Sequence, residues 1–450
     1  MADIKFRNQL LHFFRLKMTA ASVGAPGGDD VNAIVLDVGA FNFRAGFAGE
    51  DTPRILESST LSHPHDSDVD MTNGRAYSAS PVNFFTRAKD GVLKSALHVD
   101  NKASCIDLDA EVLDQIIHYS FLNSSRGFNL ELAETPLIMT EPNKASAKYR
   151  KACLELTFER FNFPATSLLK RAPASAFAAG KQSGLVLDIG ASMTSVTPVF
   201  DGFVLQKPSS EWFGVGGDLL DTVIDEFLRK KRVNIVPFYK RTEGVSGNYL
   251  DQSRLAVVRE MKHEICQMSS SSLSSTNGYS TWTIAASPQT FYELPDGTSV
   301  EVSALSQIVP EILFDPAPLG SVLSKSTIPN GFSGIGSAVI DSISNCDIDA
   351  RKCVASDVIL VGGSSLYSGL PERLLKFLSA PSPESGVSKA PLSFVKPKVT
   401  ASSVSVDRHS SSWLGCSIIA CCATFQQLWI SKRQYEEEGI DRLLHKQLFW

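Results

Sequence analysis

Apolar residues in this chain gather in short runs closed by glycine, and the most informative run spans Ala33 to Gly49, AIVLDVGAFNFRAGFAG. Ile34, Val35 and Leu36 lead into Asp37, and Gly39 permits a tight turn. Phe41, Phe43, Ala45 and Phe47 then alternate with other residues at period two. The pattern predicts a strand, a turn and a returning strand. A second copy, GLVLDIGASMTSVTPVFDG, runs from Gly184 to Gly202 and puts Asp188 and Gly190 151 positions after Asp37 and Gly39. A third glycine turn, Gly362 to Ser365, follows the apolar strand Val358 to Val361.

Between these turns the periodicity changes. Val112, Leu113, Ile116, Ile117, Tyr119 and Phe121 fall at helical spacing and predict an amphipathic helix over Asp109 to Leu122. Pro136 to Met139 reads as a strand and Lys148 to Phe161 as a helix stopped by Pro164. The small residues of Lys170 to Gly180 predict a helix packed closely on the second hairpin. Gly214 to Asp218 opens a helix through Phe227, with its start a candidate anion contact or a plain helix start. Arg259 to Lys262 sit on another helix, and Tyr292 to Gly297 form a hairpin turn. Leu56 to Arg87 reads as polar and irregular, with His63 and His65 in a solvated loop. Lys89 to Val92 marks a turn. Ser269 to Ser275 and the Ser/Pro/Lys-rich 380–398 have no core-forming pattern and read as exposed loop and insertion. The tail, Ser411 to Gly439, is an apolar helix, a turn and a charged helix.

A strand that ends in a glycine turn can present backbone N–H groups to an anion. An aspartate at the strand's end can hold a hydrated Mg²⁺ that bridges to phosphates. Two facing hairpins of this kind would clamp a nucleoside triphosphate. One Asp-x-Gly is weak evidence; two copies and a Gly-Gly turn in this order are much stronger.

Composition narrows the choice further. With 450 residues, 43% hydrophobic and 20% charged, the chain exceeds one domain in length and has an ordinary globular balance. A net charge of −5 argues against nucleic-acid binding through a large basic face. The eight cysteines show no zinc-like spacing and imply buried thiols in a reducing compartment. The longest apolar run, Leu414 to Phe425, is too short to cross a bilayer, so no membrane association is expected. The first seventeen residues are basic and amphipathic, which weakly resembles an organellar transit peptide; a flexible extension over 1–30, or a false start upstream of Met18, is the blander and favoured reading.

The repeated hairpins, the third turn and the tail together resemble the actin superfamily, from about Val31 to about Gly439. The resemblance implies an α/β, two-lobed ATPase fold of duplicated ribonuclease-H-like domains around a nucleotide cleft. It divides the chain into a first lobe over 31–178, completed by 411–450, and a second over 179–410. The family's cofactors would be ATP and Mg²⁺. Carried over by position, Asp37 and Asp188 would lie near the metal, holding Mg²⁺ through water, and Gly39 and Gly190 are the phosphate-loop glycines. Arg44 stands for a lysine that reaches the phosphates, and Lys262 for one beside the adenosine. Gly216 and Asp218 match the turn near the ribose, and Gly362, Gly363 and Tyr367 the base end.

Departures from that pattern matter as much. Ala40 replaces a serine at the terminal phosphate, Phe41 a glycine, Ala191 an aspartate and Ser195 a histidine associated with hydrolysis. Arg171 aligns with the glutamine that orients the attacking water. Hydrolysis needs that water placed in line by a hydrogen-bond acceptor, and arginine has only donors. The resemblance with these changes implies a nucleotide-binding pseudo-ATPase with no catalytic residue. Local wordings such as KDGVL, MTEP, SAFAAGK and QYEEEG resemble the nuclear branch of actin-related proteins. That branch implies a structural and regulatory subunit of chromatin-remodelling and histone-acetyltransferase complexes, paired with an actin monomer on a helical scaffold segment, with histones as further partners. A cytoplasmic, cytoskeletal actin relative is the alternative. A sugar kinase or chaperone-type ATPase would need the phosphate-loop hydroxyl or a catalytic carboxylate, against which Ala40 and Arg171 speak.

Overall fold

The computed structural model describes residues 33–63, 79–85, 92–100, 105–122, 128, 130–239, 245–268, 289–316, 329, 331–379, 392, 394–422, 425 and 428–446. Both hairpins form: Ile34–Val38 pairs antiparallel with Asn42–Phe47, and Gly184–Ile189 with Met193–Phe200. Asp37 stands opposite Arg44, and Asp188 opposite Ser195. Each opening strand takes a parallel neighbour on its other side, Leu137–Glu141 in one sheet and Asp357–Val361 in the other. One more parallel strand extends each, Ala165–Lys170 and Lys398–Thr400. Beyond the returning strands lie Ile55–Ser58 in the first sheet and Phe203–Val204 and Ser210–Phe213 in the second. The duplication seen in the motif therefore extends to the strand order of both sheets. Helices cover these sheets, and Ile34–Val38 and Leu137–Glu141 are buried at every position, as strands covered on both faces are, with Asp37, Thr140 and Glu141 buried at their carboxyl ends.

The helices begin where their caps stand. The Asp109 carboxylate accepts from the amides of Glu111 and Val112 and starts Ala110–Ile117, which continues as a π-type turn over His118–Leu122. Ser146 caps Ala147–Glu155, which widens over Leu156–Arg160 and ends ahead of Pro164. Each sheet carries its own core. Ile34, Leu36 and Leu137 meet the first-sheet helices, while Leu185, Leu187 and Leu360 meet Gly217–Lys230, Gly247–Ile265 and Ile335–Ser344.

The chain passes between the two sheets twice. It leaves the first through helix Arg171–Ala178 and returns through Ser405–His409 and Ser411–Ala420, after which Ile430–Ser431 pairs with Ala165 and Thr166. The small side chains of the outgoing helix let it serve both sheets: Ala174 packs with Val35, Ile138 and Trp413, and Ala172 and Ala176 with Val186 and Ile359. The returning helix crosses it at Gly415, where an added Cβ would lie 1.9 Å from the Ala174 carbonyl oxygen. Trp413, fully buried, donates its indole N–H to the Val35 carbonyl at 3.1 Å.

The stretch from Leu56 to Arg87 is not irregular where it is described, because Thr60–His63 pairs with Ser80–Pro81 and with Val92–Ser95. His63 is therefore a half-buried strand residue rather than part of a solvated loop, and among the described residues no hydrogen-bond partner reaches its buried Nε2. The alternation of Leu61 with polar neighbours was too short a signal to reveal this strand. His65, the turn residues Lys89 to Gly91, the serine run 269–275, the extension 1–30 and most of 380–398 lie outside the described residues. Cys153, Cys266, Cys346, Cys416 and Cys422 are buried, and Cys353 and Cys421 are exposed. Among the described residues no helix is long and apolar enough to cross a membrane.

Candidate functional site

A cavity of about 720 Å³ opens at the carboxyl ends of both sets of strands, between the sheets. That is where ligands sit in open α/β sheets, because the strand-to-helix turns converge there. Asp37, Gly39, Arg44, Asp188 and Gly190 line it from the two hairpins. Asp218, Lys262, Gly362, Gly363 and Tyr367 line it from the second half of the chain. Gly216 lies behind the lining and allows a backbone approach, since a Cβ there would meet the Ala191 carbonyl oxygen at 2.4 Å.

The two hairpin turns are closed identically: the Gly39 amide donates to the Asn42 carbonyl at 2.9 Å, and the Gly190 amide to the Met193 carbonyl at 2.9 Å. The third turn locks onto the second. Gly362 has φ +93°, and a Cβ on it would lie 2.4 Å from Asp188 Oδ1, so only glycine brings this strand end against the carboxylate.

Helix Gly217–Lys230 was open to two readings, and the backbone decides between them. Its first amides are already used: Gly217 N–H donates to the Gly190 carbonyl at 3.0 Å and Asp218 N–H to the Ala191 carbonyl at 2.9 Å. Its start is a joint that holds the second hairpin. Lys262 has a partner of the same kind, its buried Nζ lying 2.6 Å from Asp221 Oδ1 and donating to the Gly217 carbonyl at 2.9 Å. On the same helix Arg259 pairs with Asp221 at 3.1 Å, and its guanidinium lies 4.3 Å from the ring centre of Phe41. Because Phe41 belongs to the first hairpin, this cation–π contact spans the cleft. Tyr367 is buried, and desolvation drives its hydroxyl well above the ordinary range.

The two aspartates differ sharply in their surroundings. Asp37 is buried and every side of it is engaged. Thr140 donates to Oδ1, Ser412 donates to Oδ2 at 2.9 Å, Arg44 lies 3.3 Å from Oδ2 and Arg171 Nε 3.5 Å from Oδ1. Burial alone would raise this carboxyl, but the two guanidiniums and two hydroxyls outweigh it and hold it below its usual value. Asp188 accepts no hydrogen bond among the described residues, and burial together with the charge of Asp37 raises it, against the pull of Arg171 and Arg44. Arg171 is fixed further by donating to the Val38 carbonyl, and Arg44 by donating to Ser410 Oγ at 3.1 Å.

Sequence pattern pointed to Asp37 and to the departure at Arg171, but it missed that the two are partners. It missed Thr140 and Ser412 as well, which reach Asp37 from 103 and 375 positions away. Only the parallel pairing of Leu137–Glu141 and the return of the tail helix bring them there.

This lining suits a polyphosphate anion: two fixed guanidiniums, and room for a nucleotide-sized ligand between the glycine turns. It does not suit a hydrated Mg²⁺ on Asp37. A carboxylate offers about four lone-pair sites, and four protein donors already face this one. Asp188 alone of the pair keeps acceptor sites open. Among the described residues no group of three or more His, Cys, Asp or Glu could hold a metal ion.

Residues 28–449 match the family model described as Actin. Similar curated proteins include Actin-related protein 4 of Oryza sativa subsp. indica, 31% identical over 93% of this chain and 99% of its own length. Actin-related protein 4 of Yarrowia lipolytica is 30% identical over 96% of the chain and 99% of its own length. That of Schizosaccharomyces pombe is 31% identical over 93% and 97%.

Proposed function

The chain belongs to the actin family, and from that premise we propose that it is a nuclear, non-enzymatic member that binds ATP with little or no hydrolysis. In this reading it serves as a structural and regulatory subunit of chromatin-remodelling and histone-acetyltransferase complexes. Its partners are an actin monomer, a helical scaffold segment of the complex and histones. The similarity to proteins named Actin-related protein 4 and the shared wordings along the chain support the branch.

The observation that carries the pseudo-ATPase reading is Arg171, tied to Asp37 and to the Val38 carbonyl at the cleft. It has no acceptor with which to orient an attacking water, and Ala40 supplies no hydroxyl beside it. Nucleotide then acts as a ligand that bridges the two halves and shifts the balance between conformations. ATP would be held by the hairpin turns at Gly39 and Gly190, with Arg44 toward the phosphates and Gly362, Gly363 and Tyr367 toward the base.

The test has two arms. Purified protein should take up ATP yet release phosphate far more slowly than filamentous actin, and release at a comparable rate would sink the pseudo-ATPase reading. The tagged endogenous protein should co-purify with actin and a chromatin scaffold; recovery of filament proteins instead would favour the cytoskeletal alternative.

A further inference from the structure

We propose that Arg44 and Arg171 stand in for the divalent cation, so that this cleft holds a nucleoside triphosphate without a bound metal ion. The inference rests on the nucleotide-binding reading above and concerns how the charge of the ligand is met.

The charge count is the first support. Two carboxylates facing one Mg²⁺ sum to zero, and here Asp37 and Asp188 face two guanidiniums that already supply the same two positive charges. A divalent ion added to this quartet would bring like charge beside two fixed cations in a buried setting, where repulsion is weakly screened. The second support is the saturation of Asp37. Its lone pairs face Thr140, Ser412, Arg44 and Arg171, so waters of a hydrated ion find no acceptor on it.

The third support is preorganisation. Each guanidinium carries five N–H donors. Arg44 spends two on Asp37 and Ser410, and Arg171 turns toward Asp37 and the Val38 carbonyl. Both side chains line the cavity and are only 12% exposed, so they are fixed in place with further donors to offer phosphate oxygens. Planar forked donors match phosphate geometry, which suits arginine to this substitution better than lysine. The position of Arg171 at the first turn of its helix is electrostatically costly for a cation unless anions face it. Asp37 supplies one, and a triphosphate supplies more.

The deciding experiment is calorimetric titration of the full chain with ATP, once in excess EDTA and once in excess Mg²⁺. The expected result is binding in EDTA that Mg²⁺ does not tighten. Tightening by about tenfold or more in Mg²⁺ overturns the inference while leaving nucleotide binding intact. No uptake in either buffer overturns the nucleotide reading itself and this inference with it. Arg171→Gln removes one cation and frees an oxygen of Asp37. In that variant affinity in EDTA should fall by about tenfold or more and recover in part with Mg²⁺; unchanged affinity in EDTA contradicts the assignment. Because Arg171 is largely buried the variant could fail to fold, and the titration of the unaltered protein then decides alone.

Discussion

Replacing Gly415 by alanine adds one methyl group, and the crossing of the two connecting helices makes its cost calculable. The new Cβ would start 1.9 Å from the Ala174 carbonyl oxygen and 2.4 Å from its carbon. Carbon and carbonyl oxygen approach no closer than about 3.3 Å, so the helices must separate by about 1.4 Å or bend. Interiors are packed too tightly to absorb that shift locally. Overpacking of this kind costs roughly 1–3 kcal/mol, and a gap of about 1 Å forfeits up to half of each dispersion contact around it. An expected loss of about 2–4 kcal/mol follows. In an exposed helix the same change would stabilise by about 1 kcal/mol, so the sign of the effect separates a close crossing from a free helix. The assay is thermal unfolding followed by tryptophan fluorescence, since Trp413 sits on the moving helix. The midpoint should fall by several degrees, and ATP affinity should fall with it because Ser412, on the same helix, would be drawn off Asp37. An unchanged or raised midpoint would refute the packing argument.

Three further outcomes are expected. Asp188→Asn should raise the ligand-free melting temperature near neutral pH. Burial raises the folded-state value of this carboxyl, so its stabilising contribution is complete below the unfolded value and is lost as pH rises through the folded one. The advantage of the variant should therefore shrink as pH falls, and a pH-independent difference would contradict the assignment. Asp37→Asn should destabilise by roughly 3–5 kcal/mol, because it strips the counter-charge from two buried guanidiniums; a melting point within a degree of the parent would show that they find other partners. Brief iodoacetamide treatment read by mass spectrometry should label Cys353 and Cys421 first. Cys266 and Cys346, raised by burial to about 12 and about 11, should react only on unfolding.

The hairpins at Asp37 and Asp188 were legible because a strand, an aspartate and a glycine turn are a local pattern, and a local pattern repeated is hard to produce by chance. The helices over Asp109 to Leu122 and Lys148 to Phe161 were legible through periodicity and caps for the same reason. The circumstances of Asp37 were not. Its four partners are Arg44, Thr140, Arg171 and Ser412, three of them more than a hundred positions away, and only the assembled topology makes them neighbours. The start of helix Gly217–Lys230 could be read as an anion site or as a plain helix start. Which of the two holds depends on carbonyls of another element, which no local pattern records. The strand at Thr60–His63 was not legible because four residues with one buried apolar side chain are too short to establish a period.

The two passages of the chain between the sheets have a mechanical consequence. Two bodies joined at neighbouring points keep one easy freedom, rotation about the line through those points. Here both connections run side by side and are pressed together where Gly415 meets Ala174. The packed helix pair is thus an axle, and Phe41 against Arg259 is a catch across the gap it serves. A change in the width of the cleft that turned about that axle would be felt at Asp37, two of whose four donors, Arg171 and Ser412, stand on the helices that form it.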